Sequence, residues 1–261
     1  MDSKEVAEYW NKNAEAWTVM SRKGYDTRRN HLNTPAFFEI LPDINGSKGI
    51  DIGCGEGYNT RLLADKGAEI FAIDICDVFL KKAIDEETKE PKKINYLKAD
   101  AHQIPFDDCS FDFATAFMSL MDMPEPEKAV KEIYRVLKPG GFFQFSIMHP
   151  CFPNPVKKIL KNPDGSTYEA EVVDYFNSPD SYVVEWTFGT APPELRDSFP
   201  KFKIPLFVRT LSQWINMLIQ AGFQIEQLNE PFPSDEIVKQ YPNLQDAQVV
   251  AYFLQVRCRK S

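Results

Sequence analysis

A chain of 261 residues with 43% apolar content can form one large domain, or a domain with a sizeable insertion. Its 30 basic and 38 acidic residues give a formal charge of −8, which speaks against non-specific nucleic-acid binding through basic surface. The scattered cysteines (Cys54, Cys76, Cys109, Cys151 and Cys258) contain no CxxC pair, so neither a disulfide framework nor a metal site is expected. The opening MDSKEVAEYW does not resemble a secretory leader, and no run approaches the roughly 20 apolar residues that span a bilayer. The expectation is a soluble, cytoplasmic protein with no membrane or nucleic-acid partner. Its oligomeric state is left open.

Residues 2–20 read as a helix, with Ser3 as cap and Val6, Tyr9, Trp10, Ala14 and Trp17 three or four apart. Tryptophans on such a face either pack against the domain or close over a ligand. Arg22, Tyr25 and Arg28 follow in a polar linker, suited to contacting a carboxylate. A second helix is expected over about 33–40, opening near Thr34-Pro35 and ending at Leu41-Pro42-Asp43.

Next comes Lys48–Gly57, KGIDIGCGEG. A short apolar run leads into glycines at alternate positions, Gly53, Gly55 and Gly57, and amphipathic residues begin at once with Thr60, Leu62 and Leu63. The pattern is strand, tight turn, helix. Glycine adopts positive φ and admits close approach of a ligand, and the helix that follows offers free N–H groups and a positive dipole end. A nucleoside-like or carboxylate-bearing cofactor suits such a turn, although glycine-rich surface turns also arise without a ligand. Strand Ala68–Ile75 then ends in Asp74, placed 21 positions beyond Gly53. In a right-handed βαβ unit this carboxylate lies beside the glycine turn, where it either binds ribose hydroxyls or caps the helix starting near Asp77.

A third strand, Ile94–Lys98, ends in Ala99-Asp100-Ala101-His102, a second acid at a second strand end and suited to an adenine amino group. Phe111–Phe117 is a fourth strand. An amphipathic helix after Pro124 and Pro126 is stopped by Lys138-Pro139-Gly140-Gly141, and Phe142–Met148 is a fifth strand. Strands alternating with helices predict a doubly wound, mostly parallel Rossmann-like α/β sheet. Past His149-Pro150 the pattern breaks. Residues 151–209 are expected to form an inserted α+β cap with antiparallel strands at Tyr182–Phe188 and Phe202–Val208. The α/β pattern resumes with helix Leu211–Ala221, strand Phe223–Leu228 and a final strand Gln248–Arg257. The expected organisation is therefore an arm and cofactor core over 1–150, a substrate-binding cap over 151–209, and a return to the core over 210–261.

Several segments, in order and spacing, resemble the class I S-adenosylmethionine-dependent methyltransferases. They are Ile50–Gly57, Ala72-Ile73-Asp74, Ala99-Asp100-Ala101 with Ile104-Pro105-Phe106, Phe111-Asp112-Phe113, and Arg135–Gly141. The resemblance is closest over Gly49–Met148. It implies a seven-stranded sheet whose last strand is antiparallel, S-adenosylmethionine as cofactor, and methyl transfer to a small-molecule acceptor. Carried over by position, it sets the methionine portion against Gly53, Cys54 and Gly55, with Asp51 contacting it directly or through water. Asp74 would hold the ribose and Asp100 the adenine amino group. Ile75 and Ala101 would flank the ring, and Phe117 would meet the methionyl end through its backbone. Tyr9, Trp17 and Arg22 resemble the arm that covers the cofactor. No metal is implied.

Where many relatives carry a pair of histidines, this chain reads Leu120-Met121-Asp122-Met123. His149 at the end of the fifth strand is the nearest alternative base, unless it merely caps the sheet; His31 and His102 read as structural or surface residues. Methyl transfer needs alignment and exclusion of water more than acid–base help. Tyr168, Tyr175, Phe176, Tyr182, Trp186 and Phe188 either line the acceptor pocket or form the cap's own core. The competing functions are a nicotinamide-dependent oxidoreductase, whose fingerprint wants glycine where Tyr58 stands, and a non-catalytic binding protein.

Overall fold

Helix α1 (Ser3–Arg22) is capped not by Ser3 but by Asp2, whose carboxylate accepts from the N–H groups of Lys4 and Glu5 at 2.9 Å. Glu5 Oε2 in turn accepts from Asp2 N–H at 2.7 Å, which completes a capping box. The chain is described by a computed structural model over residues 1–152, 157–172, 175–176 and 180–261. A π-helical turn, Arg29–Asn33, runs into α2 (Thr34–Glu39). The core then alternates: β1 (Lys48–Ile52), α3 (Tyr58–Asp65), β2 (Glu69–Asp74), α4 (Asp77–Lys89), β3 (Asn95–Lys98), β4 (Phe111–Phe117), α5 (Pro126–Val136) and β5 (Leu137–Met148). Two short antiparallel pairs follow. The first is β6 (Lys157–Lys161) with β7 (Thr167–Val172); the second is β8 (Ser181–Trp186) with β9 (Phe202–Phe207), with α6 (Pro193–Arg196) between the last two. Helix α7 (Leu211–Ala221), β10 (Phe223–Asn229), α8 (Asp235–Gln240) and β11 (Phe253–Lys260) complete the chain.

The main sheet has seven strands in the order β10-β11-β5-β4-β1-β2-β3. Strands β1 to β5 pair in parallel, and β11 lies antiparallel between β5 and β10. This is the sheet the resemblance implies. Strand order reverses between β1 and β4, and at such a switch point an open α/β sheet leaves a crevice beyond its strand ends. The layer between the sheet and the helices α5 and α7 is dry: Ile50, Phe111, Ile133, Phe145, Leu218 and Val256 share one buried cluster.

Two strand starts differ clearly from the sequence expectation, while most other strand ends shift by a residue or two. Strand β5 starts at Leu137, because the expected stop at Gly140 is a kink at φ 77° inside it and the pairing with β4 shifts register there. The last strand starts at Phe253, not Gln248, since Pro242–Gln248 coil into a 3₁₀ turn that buries Leu244 and Ala247. A run of apolar residues cannot by itself separate these two forms.

The hairpins β6–β7 and β8–β9 stay outside the main sheet. Phe188, Phe202, Ile204 and Leu206 form a second apolar cluster with Ala16 and Met20 of α1. Trp17 is its hub, with ring centroids 5.4 Å from Trp186, 5.0 Å from Phe188 and 5.1 Å from Phe202. Buried Asn13 stitches the helix to β9, donating to Lys203 O at 2.8 Å and accepting from Lys203 N at 3.1 Å. Asn13→Ala removes both bonds and leaves a strand edge unpaired. It should lower the unfolding free energy by about 1–3 kcal/mol, read from urea denaturation, with the seven-stranded core retained by circular dichroism.

Candidate active site

The crevice at the β1/β4 switch point opens into a cavity of about 1090 Å³. Gly53, Cys54 and Gly55 form one wall, and the strand ends supply Asp74, Ile75, Asp100, Ala101 and Phe117. The glycine turn is built on left-handed backbone, with φ of 70° at Gly53, 57° at Gly55 and 86° at Gly57. Any Cβ at Gly53 would collide with Ser119, whereas one at Gly55 would meet nothing within 4 Å. Gly55 thus leaves open room at the cavity.

Asp74 holds the turn in place. One carboxylate oxygen accepts from Gly55 N at 2.7 Å and the other from Cys76 N at 2.8 Å. The residue both braces the turn and serves the start of α4, so the two readings of Asp74 are not exclusive: each oxygen keeps a lone pair for a further donor. Burial raises its pKa to about 6, against the opposing pull of these backbone bonds. Asp100 lies at the next strand end and accepts from His102 N at 2.9 Å. Ser3 Oγ of α1 is hydrogen-bonded to His102 Nδ1 at 3.1 Å, which brings the helical arm onto this edge. Ser3, Val6, Trp10 and Trp17 of that arm line the cavity.

Four of the residues expected at the site lie elsewhere. Asp51 is buried behind the turn, and its two oxygens accept from Thr60 Oγ1 at 2.6 Å and Thr115 Oγ1 at 2.8 Å. It is a strut joining β1, α3 and β4, not a lining group. Tyr9 does not line the cavity, since Trp10 and Trp17 occupy the inner face of α1. Arg22 is drawn away by acids of the core: its guanidinium meets Glu56 at 2.8 Å and Glu86 at 2.9 Å. His149, the candidate base, does not line the cavity. Its Nδ1 accepts from Cys151 N at 3.1 Å, its Nε2 meets Glu230 at 2.7 Å, and the buried ring is absent from the cavity wall. Burial lowers its pKa, while Glu230 opposes the shift. The capping reading of His149 is the one the structure supports.

Other lining residues carried no clear sequence signal. Glu56, inside the glycine turn, also meets Arg29 at 3.3 Å, and Arg29 lies over the Tyr58 ring at 4.0 Å. Arg28 is tied to Asp246 at 2.8 Å and stacks on Tyr252. Their partners are distant in sequence, so only the fold reveals the pairs. Of the aromatics in the 151–209 stretch, Phe152, Trp186 and Phe188 line the cavity. Tyr168 and Phe176 are exposed, and the Tyr175 hydroxyl accepts from Leu211 N at 2.8 Å. Among the described residues no group of three His, Cys, Asp or Glu side chains is arranged to hold a metal ion, and no helix is long and apolar enough to cross a membrane.

Residues 50–145, the stretch that builds this turn and its flanking acids, match the model of the methyltransferase domain family. Residues 50–145 form a methyltransferase domain. Over 159 residues the chain is 31% identical to the demethylmenaquinone methyltransferase of Paenarthrobacter aurescens (strain TC1), covering 54% of this chain and 60% of that protein. It is 25% identical over 155 residues to the ubiquinone biosynthesis O-methyltransferase of Coxiella burnetii (strain Dugway 5J108-111), covering 58% of this chain and 64% of that one. The chain thus spans 60% and 64% of the length of these curated relatives. A solved S-adenosylmethionine-dependent methyltransferase from Mesorhizobium loti superposes with a TM-score of 0.69 at 24% identity, covering 87% of this chain and 96% of its own. That likeness shows a common fold extending beyond the methyltransferase domain match.

Within the domain, Asp51 should behave as a structural group. Asp51→Ala strands two buried hydroxyls and should cost about 2–4 kcal/mol in a denaturant titration. Burial raises the Asp51 pKa, so its contribution is full below the unfolded value of about 4 and fades as pH rises through the folded value. The wild-type advantage over the variant should therefore be larger in acid than at alkaline pH.

Proposed function

We propose that this protein transfers a methyl group from S-adenosylmethionine to a small, largely apolar acceptor. The observation that carries the reading is one cavity joining the braced glycine turn and two strand-end carboxylates to an aromatic half outside the domain core. When bound, S-adenosylmethionine supplies a methyl group on a positively charged sulfur. The chain's residues fit it: the open room at Gly55 accommodates the amino-acid tail, Asp74 has free lone pairs for ribose hydroxyls, and Asp100 faces the place for an adenine amino group. Ile75 and Ala101 offer apolar flanks for a ring, and Phe117 stands at the end of β4 toward the tail.

The stretch 151–209 serves, in this reading, as the acceptor-side cap over a core formed by 1–150 and 210–261. Its Trp186, Phe188, Ile204 and Leu206 meet Trp10 and Trp17 of the arm around the cavity. Such a wall excludes water and orients a flat apolar molecule. The names of the two curated relatives refer to small molecules, in keeping with an acceptor of that size. The nicotinamide alternative fits less well. Its turn wants glycine at position 58, where Tyr58 opens α3 under the Arg29 guanidinium.

Calorimetry with S-adenosylhomocysteine tests the proposal. The wild-type protein should bind it, and Gly55→Val should weaken binding more than ~100-fold, because a branched residue at φ 57° is strained and fills the open room. Circular dichroism of the variant should be unchanged. Ribose hydroxyls bind the ionised form of Asp74, so affinity should fall as pH drops below about 6, by up to ~10-fold per pH unit. Full binding by the valine variant, or preferential binding of NAD, would refute the reading.

A further inference from the structure

Between β4 and α5 the chain makes a single 3₁₀ turn, Leu120–Asp122, entered through Met118 at φ 54°. A methionine in left-handed backbone persists only where its surroundings hold it. Here Met118 N–H donates to Ser146 O at 2.8 Å, and Ser119 Oγ donates to Ile52 O at 2.7 Å. The turn so fixed carries Asp122 to the cavity wall between Met121 and Met123. It also packs on β9, so Asp122 stands at the seam between the glycine-turn half of the cavity and the hairpin half.

Asp122 is only 6% exposed. One of its oxygens, Oδ1, is buried without a hydrogen-bond partner, and among the described residues no basic side chain pairs with the carboxyl. Every other carboxylate discussed at this site has a partner: Asp74 its backbone amides, Asp100 the His102 amide, Glu56 two arginines, Asp246 Arg28. Buried polar groups are normally satisfied. Arg28 Nε, Asn33 Nδ2, His102 Nε2 and Asp246 Oδ1 on the same wall also lack a partner, but each belongs to a side chain bonded through another atom, whereas among the described residues the Asp122 carboxyl is bonded through neither oxygen and so asks for a ligand. Loss of water alone raises the pKa of this carboxyl well above its ordinary value, which makes it a stronger base.

We propose that Asp122 is the general base of this site, and that the acceptor is a ring-borne hydroxyl, a phenol or enol, whose O–H it receives. The inference rests on the methyl-transfer reading above. The choice of oxygen over nitrogen follows from the charge. A lone carboxylate beside an amine stabilises its ammonium form and ties up the lone pair that must attack. Beside a hydroxyl the same carboxylate removes the proton and frees a pair. In the transfer the acceptor's O–H bond breaks as its proton passes to Asp122. The oxygen pair forms the new C–O bond, and the C–S pair leaves with sulfur as a neutral thioether. Water removes the proton from Asp122 after the product departs. The ring requirement comes from the cavity that this carboxyl lines, whose wall also includes the apolar Trp10, Trp17, Phe152, Phe188, Ile204 and Leu206.

The test compares wild type with Asp122→Asn on two probes, phenol and 4-nitrophenol, with S-adenosylhomocysteine calorimetry as control. Asparagine keeps the shape and removes an uncompensated buried charge, so the variant should melt no lower than wild type at alkaline pH. Homologue affinity should be equal in both proteins. Methylation of phenol should fall ~10²–10⁴-fold in the variant and lose its acidic limb, while 4-nitrophenol, ionised without help, should fall less than ~10-fold. Independently of turnover, 4-nitrophenol bound to wild type below its own pKa should show phenolate absorbance that the variant lacks. Equal losses on both phenols with identical spectra would overturn the assignment of Asp122, as would wild-type rates in the variant or methylation of amines but of no phenol. Failure of wild type to bind S-adenosylhomocysteine would instead overturn the methyl-transfer reading itself.

Discussion

The bond from Gly55 N–H to Asp74 is the contact on which the site depends. Three consecutive alternate residues in left-handed backbone form a turn with no ladder of its own, and Asp74 supplies the acceptor that fixes its middle. The other oxygen of the same carboxylate holds Cys76 N–H at the entrance to α4. One side chain therefore sets the distance between the glycine turn after β1 and the helix after β2. Behind it, Asp51 bonds to Thr60 and Thr115 and locks α3 and β4 to β1. Both carboxyls are raised by burial, so the protein holds costly charge in its core to keep the turn rigid before any ligand arrives.

The arm α1 extends this frame to the second half of the cavity. On one side Arg22 grips Glu56 of the turn, together with Glu86 and the Lys82 carbonyl of α4. On the other, Asn13 is paired to the backbone of β9 and Trp17 is seated among Trp186, Phe188 and Phe202. The same helix thus touches the element that would hold the cofactor and the element that would hold the acceptor. Packing and covering are not alternatives for its tryptophans: Trp10 packs on Phe79, ring centroids 5.9 Å apart, while the residue also lines the cavity.

What could be read in the sequence was what is local in it. Strand β1, the glycine turn and α3 are consecutive, and helix α7 falls on Leu211–Ala221 as its periodicity predicts, with Gly222 at φ 100° closing it. Asp74 and Asp100 were legible because a strand end fixes where a side chain stands. The errors share a different cause. Arg22 and His149 were expected at the site, but they are held by Glu56 and Glu230, 34 and 81 positions away. Asp51 has the correct place and the wrong direction, because residues of one strand alternate between the faces of the sheet and only the neighbours Thr60 and Thr115 reveal which one it serves. The start of β11 was misplaced because Pro242–Gln248 bury apolar residues as a 3₁₀ turn as readily as a strand would.

Charge gives the last constraint on what the cavity can hold. Asp26, Glu56, Asp74, Asp100, Asp122, Glu185 and Asp246 line it, against Arg28, Arg29 and Lys161. Glu56 is matched by Arg22 and Arg29, Asp26 by Arg29, Glu185 by Lys203 and Asp246 by Arg28, so among the described residues the lining acids with no arginine or lysine partner are Asp74, Asp100 and Asp122. A pyrophosphate would gain the helix N-terminus of α3 and lose more to these carboxylates, whose effect is strengthened by the low local dielectric. A cofactor with a positive sulfur gains from the same field at two cationic centres, whereas its thioether product keeps only the ammonium of its tail. The acidic lining therefore favours the charged donor over its spent form, and a turn that sequence alone allowed to hold either class is selective once the acids around it are in place.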